Sequence, residues 1–284
     1  MSTLTQAEQD EVARANASGR RAVVFVHGLW LLSSSWDRWR RLFEDNGYAT
    51  VAPGWPDDPG SVEEARQNPD VFAKKMVGQV TDHYLEAVAG LTHAPAVVGH
   101  SFGGLIAQKM AGEGIAAATV SIDNAPFQGV LALPASALKS AAPVLTHPGS
   151  LGKGVSLSFE QFVYGWANNL DEAEARELYD TYHVPASGAP IFQAATANLN
   201  PFAETKVDTK NPERGPLLLI SGENDNTVPW AIVESSYKLQ SKNSGVTRVV
   251  RLPDRGHSLV IDSGWREVAD TALEFIQEFA PAEP

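Results

Sequence analysis

The sequence predicts a three-layer α/β fold, with helices on both faces of a mostly parallel sheet. Short apolar runs alternate with helical patterns from residue 21 onward. Most of the apolar runs are continuous, which is typical of strands that other layers cover on both faces. Strands interleaved with helices predict βαβ units and hence this layered architecture.

Six apolar runs are interpreted as strands of one sheet, and five helical patterns accompany them. The strands are expected at 22–26, 49–52, 96–99, 118–122, 217–221 and 247–252. The helices are expected at 36–45, 69–89, 102–111, 230–240 and 265–279. The alternation of the two element types predicts one α/β core.

One long interval interrupts this alternation. About ninety residues after residue 123 contain no clear strand but at least three helical patterns, near 134–145, 158–168 and 171–183. Because a structureless loop of this length is improbable in a compact domain, the interval predicts a helical cap. The predicted units are a polar N-terminal arm at 1–20, a core at 21–126 and 211–284, and the cap at 127–210.

The charge balance and the lack of cysteine argue against several classes of function. Acidic residues outnumber basic ones by 34 to 22, which gives a net charge of −12. Proteins that bind nucleic acid usually present a basic face, so neither nucleic acid nor an anionic membrane surface is expected as a partner. The absence of cysteine removes disulfides and thiolate nucleophiles. The first twenty residues are polar and no run approaches ~18 apolar residues, so we expect a cytoplasmic protein with no membrane partner.

The segment AVVGHSFGGLIAQKMAGEG, at 96–114, contains the pattern G-x-S-x-G centred on Ser101. The pattern alone is weak, but here an apolar strand precedes the serine and a helical run follows it. A sharp strand-to-helix turn exposes a serine above the sheet, and small flanking residues make room for that turn. The new helix directs free backbone N–H groups at developing negative charge. Ser101 is therefore the predicted nucleophile.

A serine nucleophile needs a base, and His257 is the best placed of seven histidines. It follows the last predicted strand in RVVRLPDRGHSLV. A loop at the carboxyl edge of a parallel sheet is where α/β sites are assembled. His100 adjoins the nucleophile in sequence, and we expect it to pack beneath the turn instead.

The third member of such a site is a carboxylate that holds the imidazole in the correct tautomer. LLLISGENDNTVPW places Glu223 and Asp225 directly after an apolar strand. The chain order serine, acid, histidine is the one expected of α/β hydrolases, so Asp225 is the predicted acid. Glu223 and Asp123, which follows the preceding strand, remain alternatives.

Two backbone amides are candidates for an oxyanion hole, which is often the largest single contribution to acyl-transfer catalysis. VVFVHGLW, at 23–30, places a His-Gly pair after the first strand. Gly28 allows a tight turn, so that the N–H of Leu29 faces the serine. The N–H of Phe102 is the second predicted donor.

These four motifs together resemble the α/β-hydrolase superfamily, and among its members the lidded, carboxylesterase-like serine hydrolases. The matching segments are HGLW at 27–30, GHSFGG at 99–104, SGENDNTVP at 221–229 and DRGH at 254–257. The resemblance implies a mostly parallel sheet with a helical cap inserted after the sixth-strand position. Members usually begin with a β-hairpin, whereas here only a polar arm precedes the first strand. About six strands are therefore expected.

The predicted function is cleavage of a carboxylic ester through an acyl-serine intermediate. Lactonase, amidase and C–C hydrolase activities use nearly the same residues, and a non-catalytic ligand-binding protein on this fold is the alternative of a different class. No HExxH or P-loop pattern is present, so no metal and no cofactor are expected. The partner is expected to be a small-molecule ester or related acyl compound, and the oligomeric state is left open. Four aromatic residues near the motifs are predicted to contact it: Trp30, Phe127, Trp166 and Trp230.

Overall fold

A computed structural model of the chain describes residues 3–283 and contains one six-stranded, fully parallel sheet. In chain order the described strands are β1 (Ala22–Val26), β2 (Ala49–Val51), β3 (Ala96–His100), β4 (Ala118–Ile122), β5 (Gly154–Val155), β6 (Ala186–Ser187), β7 (Leu217–Gly222) and β8 (Thr247–Leu252). The main sheet has the order β2-β1-β3-β4-β7-β8. The short strands β5 and β6 form a separate antiparallel ribbon.

Eleven α-helices lie within the described residues. They are α1 (Gln6–Ala17), α2 (Asp37–Asp45), α3 (Val62–Gln67), α4 (Val77–Ala89), α5 (Phe102–Gly112), α6 (Ala135–Leu145), α7 (Phe159–Gly165), α8 (Glu172–Tyr182), α9 (Ala189–Thr196), α10 (Trp230–Gln240) and α11 (Trp265–Phe279). None of these helices is long and apolar enough to cross a membrane.

The prediction of an α/β fold with about six strands is confirmed, and the described residues before β1 form the helix α1 and no strand. Every residue of the four central strands β1, β3, β4 and β7 is buried, as the continuous apolar runs predicted. The edge strand β8, with the sequence TRVVRL, is only partly covered. The helical insertion follows β4, which is the sixth-strand position once the two strands of the missing hairpin are counted.

The parallel register brings the ends of the central strands to one edge of the sheet. Val26 at the end of β1 pairs with Gly99 near the end of β3, and Gly222 at the end of β7 pairs with Leu252 at the end of β8. The loops that follow these strands therefore lie side by side. Every chemically important motif of the sequence falls in one of them.

The helix predicted at 69–89 is wrong in its first third. The chain forms one turn of 3-10 helix at Pro69–Phe72, and α4 starts only at Val77. Between them Lys74 has φ 62°, which an α-helix cannot accommodate. The Pro69 carbonyl lies against Gly154 of β5, where an added Cβ would come within 2.0 Å of the oxygen. Sequence periodicity cannot reveal this close approach of the insertion to residue 69.

The N-terminal arm, expected to be a surface helix or a loose tail, forms the helix α1 and is fixed to the core. Thr5 and Glu8 form a capping box at its start. Two carboxylates accept backbone N–H groups beyond β2: Glu8 from Gly54 at 3.0 Å and Glu11 from Ala52 at 3.0 Å. The terminal residues 1, 2 and 284, which belong to the predicted arm and core, lie outside the described residues.

The interval between β4 and β7 contains the three predicted helices as α6, α7 and α8. It also contains α9 and the β5–β6 ribbon, neither of which was predicted. The two ribbon strands have only two residues each, too few to show an alternating pattern. This segment returns to the core where Lys109 of α5 donates to the carbonyls of Glu204 and Lys206, at 2.6 and 3.1 Å.

Candidate active site

Ser101 occupies a sharp turn between β3 and α5. Its φ of 57° and ψ of −121° lie outside the regions that side-chain-bearing residues prefer. Space allows only glycine on either side of it: a Cβ at Gly99 would lie 2.1 Å from the Gly103 carbonyl oxygen, and one at Gly103 would lie 2.0 Å from the Val26 oxygen. The spacing G-x-S-x-G is therefore a steric requirement of this turn.

Three buried side chains form a chain of hydrogen bonds at the carboxyl edge of the sheet. His257 Nε2 lies 3.0 Å from Ser101 Oγ, and His257 Nδ1 lies 2.6 Å from Asp225 Oδ2. The other carboxylate oxygen, Asp225 Oδ1, accepts the backbone N–H groups of Thr227 and Val228 at 2.6 and 2.8 Å. Because an ionised carboxylate only accepts hydrogen bonds, Nδ1 carries the proton and the Nε2 lone pair faces the serine hydroxyl.

The two alternative acids lie elsewhere. Glu223 is exposed and pairs with Arg251 at 3.2 Å. Asp123 is fully buried, and its Oδ1 accepts the backbone N–H of Gly222 at 2.9 Å. Burial raises the pKa of the Asp123 carboxyl well above its ordinary value, and the negative charge of Asp225 raises it further. Both causes favour the protonated form of Asp123, which lies beside the carboxylate that contacts His257.

The His100 ring is buried and contacts the rings of His257 and Trp166. Its ring centroid lies 4.7 Å from that of His257 and 5.6 Å from that of Trp166. Burial lowers the pKa of His100 well below its ordinary value, and the neighbouring His257 lowers it further. His100 is thus a neutral ring that supports the imidazole of His257.

One cluster within the described chain has the composition of a metal site. The ligand atoms of His100, Asp123 and His257 lie within 4.8 Å of one another. Both nitrogens of His257 already contact Ser101 and Asp225, and burial favours the protonated form of Asp123. The hydrogen bonding of these groups suits proton transfer better than metal ligation, and the expected absence of a metal remains a prediction.

Two backbone amides lie beside Ser101 without protein acceptors. Neither Leu29 nor Phe102 donates its N–H to an acceptor within residues 3–283. Phe102 is the first residue of α5, so its N–H has no place in the helical hydrogen-bond ladder. The preceding loop touches the serine, since a Cβ at Gly28 would lie 2.8 Å from Ser101 Cβ. This arrangement can present two donors to an oxyanion.

The end of α7 and the residues after it, 164–169, hold the loops of the acid and the histidine in place. The Trp166 carbonyl accepts the Ser258 N–H at 3.1 Å, next to His257 in the chain. Asn168 Nδ2 donates to the Asn224 carbonyl at 2.9 Å, next to Asp225 in the chain. Sequence reasoning missed this contact, and the only available signal was the pair of consecutive asparagines that ends the predicted helix.

An apolar cavity of about 120 Å³ opens above Ser101. Trp30 and Phe102 contribute to its wall near the serine, and α6 and α9 contribute much of the remainder. Its lining residues are Trp30, Ser101, Phe102, Ala125, Pro126, Ala132, Leu133, Ala137, Leu138, Ser140, Ala141, Leu145, Ile191, Ala194, Ala195, Thr227, Val228 and Ile232. Almost all of these side chains are apolar, so the cavity suits a hydrocarbon group.

Of the four aromatic residues predicted to contact the substrate, Trp30 alone lines this cavity. Phe127 is buried in the core with 1% exposure. The Trp166 ring stands edge-on to His257, with centroids 4.6 Å apart. Trp230 stacks against Arg251, whose guanidinium lies 5.5 Å from the ring centroid. Sequence proximity to a motif therefore did not identify the residues of the cavity wall.

Comparison with solved structures identifies relatives of the same fold at low sequence identity. A monoacylglycerol lipase from Paleococcus ferrophilus is 21% identical with a TM-score of 0.59, covering 91% of this chain and 95% of that chain. An extracellular α/β-hydrolase from a Paenibacillus species is 17% identical with a TM-score of 0.63, covering 90% and 98%. A putative non-heme bromoperoxidase, BpoC, from Mycobacterium tuberculosis is 16% identical with a TM-score of 0.64, covering 91% and 92%.

These neighbours share the fold and carry different names, so the fold alone does not define the reaction. A search of curated proteins found no significant match to the sequence. The model of the alpha/beta hydrolase family, in contrast, matches residues 23–271, which includes the loops of Ser101, Asp225 and His257. The chain belongs to the alpha/beta hydrolase family.

Proposed function

We propose that this chain is a serine hydrolase that cleaves carboxylic esters through an acyl-serine intermediate. The observation that carries the proposal is the continuous hydrogen-bond chain from Ser101 through His257 to Asp225. A hydroxyl, a neutral imidazole nitrogen and an orienting carboxylate in this order are the groups that nucleophilic acyl transfer requires.

In the first half of the reaction, Ser101 Oγ attacks the acyl carbon while its proton passes to His257 Nε2. The negative charge that forms on the carbonyl oxygen lies where the N–H groups of Leu29 and Phe102 can donate to it. The C–O bond to the leaving group then breaks, and His257 gives its proton to the departing alkoxide. The products of this half are an alcohol and the acyl-serine.

In the second half, water replaces the alcohol. His257 takes a proton from the water as its oxygen attacks the acyl carbon, and the oxyanion again faces the two amides. The ester bond to Ser101 breaks, and the proton on His257 returns to Ser101 Oγ. Asp225 keeps the imidazole in one tautomer and stabilises the imidazolium that forms twice per cycle.

The apolar cavity supports an ester whose acyl or alcohol group is a hydrocarbon. Apart from the catalytic serine, only two of the lining residues, Ser140 and Thr227, carry hydroxyls, and these bond to each other at 2.7 Å. Their hydrogen-bonding capacity is therefore largely used within the protein. A strongly polar substrate would find few partners in this wall.

The direct test is turnover of p-nitrophenyl butyrate together with covalent labelling by a fluorophosphonate. Ser101→Ala should lower kcat on the order of 10⁶-fold and abolish labelling. Ser235→Ala removes an exposed hydroxyl on α10 and should change neither. Retention of a tenth of the activity by pure Ser101→Ala would refute the nucleophile assignment, and labelling without turnover of any ester would indicate another acyl substrate.

The turnover measurements should also include a lactone and an anilide, because hydrolysis of these compounds shares the proposed steps.

We also propose that residues 127–210 act as a cap whose helices α6 and α9 select the hydrocarbon group. A cytoplasmic location is part of the proposal, and cell fractionation tests it.

A further inference from the structure

A group of large apolar side chains is exposed at the mouth of the cavity. Leu131, Leu133, Leu199 and Phe202 each expose between 70% and 88% of their surface. Leu138, which is 47% exposed, lies one turn into α6. These five residues are called the apolar rim. Contiguous exposed apolar surface of this kind is uncommon on a protein that contacts only water.

Hydrogen bonds show that the two chain segments of the apolar rim lie side by side. Asn198 accepts the N–H of Gly129 at 2.7 Å and donates to the carbonyl of Val130 at 2.9 Å. Gln128 donates to the carbonyls of Ala197 and Asn200, at 3.2 and 2.6 Å. The segment that leads into Leu131 therefore lies next to the turn that carries Leu199.

The apolar rim is continuous with the cavity that contains Ser101. Leu133 and Leu138 belong to both, since they line the cavity and are exposed to solvent. Ala194 and Ala195 at the end of α9 line the same cavity, a few residues before Leu199. A substrate that enters between α6 and α9 must pass these side chains.

The two chain segments that carry the apolar rim contain no charged residue, although Lys139 and Glu204 follow them directly. Residues 128–138 and 188–203 contain no Asp, Glu, Lys or Arg, although 20% of the chain is charged and its net charge is −12. A surface without charge gives no attraction to anionic lipid, and the net charge opposes it. The acidic balance thus argues against an anionic membrane but not against an uncharged surface.

From this continuity we propose that the apolar rim docks on an uncharged or zwitterionic lipid surface and passes a long-chain ester from it into the cavity. The proposal rests on the proposed esterase function and names its substrate class. A lipid surface can cover the mouth and still supply substrate through it. A second copy of the chain seated there would instead cover the side of the cavity that Leu133 and Leu138 line.

The test separates docking from hydrolysis by using Ser101→Ala, which leaves lipid intact. Its binding to phosphatidylcholine vesicles is measured by flotation, and vesicles containing phosphatidylglycerol serve as the anionic comparison. We expect binding to phosphatidylcholine that weakens as the anionic fraction rises. Adding Leu199→Ser and Phe202→Ser should reduce binding at least tenfold. Val246→Ser changes an exposed side chain directly before β8, at the amino ends of the strands and away from the apolar rim, and should leave binding unchanged.

A kinetic comparison uses the same rim substitutions with Ser101 intact. Hydrolysis of p-nitrophenyl palmitate in phosphatidylcholine vesicles should fall at least tenfold, while turnover of dissolved p-nitrophenyl butyrate should stay within twofold and so report an intact fold. Equal vesicle binding with and without the rim substitutions would overturn the proposal. The proposal would also be overturned if light scattering showed a dimer that these substitutions dissociate, because a second copy of the chain would then cover the apolar rim. If the unsubstituted chain turns over neither ester, the esterase function falls, and vesicle binding by Ser101→Ala still decides the docking.

Discussion

At the residue scale, Ser101 is held in a backbone conformation that costs of order 1–3 kcal/mol. Three neighbouring hydrogen bonds keep it there. Its N–H donates to the Ile122 carbonyl at 2.9 Å, and its own carbonyl accepts from Ala125 at 2.9 Å and Leu105 at 3.2 Å. Both the sheet and α5 therefore stabilise the turn, and the hydroxyl keeps one direction relative to His257.

The assignment of the acid is testable by matched neutral substitutions. Asp225→Asn should lower kcat by roughly 10⁴-fold, because the amide favours the wrong tautomer of His257. Asp123→Asn and Glu223→Gln should each cost less than about tenfold, since burial favours the protonated form of Asp123 and Glu223 pairs with Arg251 at the surface. Steady-state kinetics of the three variants on one ester tests which carboxylate is the catalytic acid. Greater damage from Asp123→Asn than from Asp225→Asn would transfer the role to Asp123.

The raised pKa of Asp123 also predicts how stability depends on pH. In the unfolded chain an aspartate loses its proton near pH 3.9, whereas folding keeps Asp123 protonated to higher pH. Between these two pKa values the folded state holds more protons, so its stability decreases as pH rises. Asp123→Asn removes this titration. Denaturant unfolding between pH 4 and 8 should therefore show the variant gaining stability relative to the parent, and a constant difference would mean that Asp123 is ionised.

At the element scale, the end of α7 contributes to the site from outside the sheet. Residues 164–169 contact both loops that carry the acid and the histidine, and the Trp166 ring lies against His257. Removing the whole insertion would therefore remove supports of the hydrogen-bond chain as well as the cavity wall. The insertion is part of the site and not only a cover over it.

This arrangement gives Trp166 and Ile191 different expected roles. Trp166→Ala should lower kcat by up to about 10²-fold for all ester lengths alike, because small displacements of His257 are costly. Ile191→Ala should instead change the preferred acyl length, because Ile191 lines the cavity in α9. Rates for esters of two to twelve acyl carbons distinguish the two. A change of chain-length preference in Trp166→Ala would place its ring in the acyl site.

At the scale of the whole molecule, buried neutral histidines make the fold sensitive to acid. His183 is buried in the segment after α8, where its Nε2 accepts the Leu157 N–H at 3.1 Å. Burial lowers the pKa of His183 to about 4, with a further contribution from the charge of Arg66. Between about pH 4 and 6.5, the unfolded chain therefore binds a proton at His183 that the folded state does not bind.

Because the pKa of His183 is lowered, its contribution to the free energy of unfolding is fully present above pH 6.5 and is lost as pH falls toward about 4. The loss amounts to at most about 3 kcal/mol. His183→Gln keeps an acceptor for Leu157 but cannot titrate, so its stability should fall less between pH 7 and 4.5 in denaturant unfolding. His147→Gln, at an exposed position, is the control and should follow the parent. Parallel curves for parent and His183→Gln would show that His183 is not held neutral.

The features that the sequence alone predicted depend on interactions between residues that are close together in the chain. Continuous apolar runs such as AVVFV and LLLIS are buried strands, and Gly99 is needed by its contact with Gly103 within one strand–turn–helix unit. The six strand segments and the strand–turn–helix unit of Ser101 both depend on residues close together in the chain. Such short-range constraints leave a visible pattern.

Tertiary structure decided the features that depend on contacts between distant segments. The break before α4 accompanies the close approach of Pro69 to Gly154, and the raised pKa of Asp123 follows from its burial beside Asp225. The cavity wall of α9 and the support from residues 164–169 likewise involve partners far away in sequence. No local periodicity encodes these contacts, because each joins segments that are far apart in the chain.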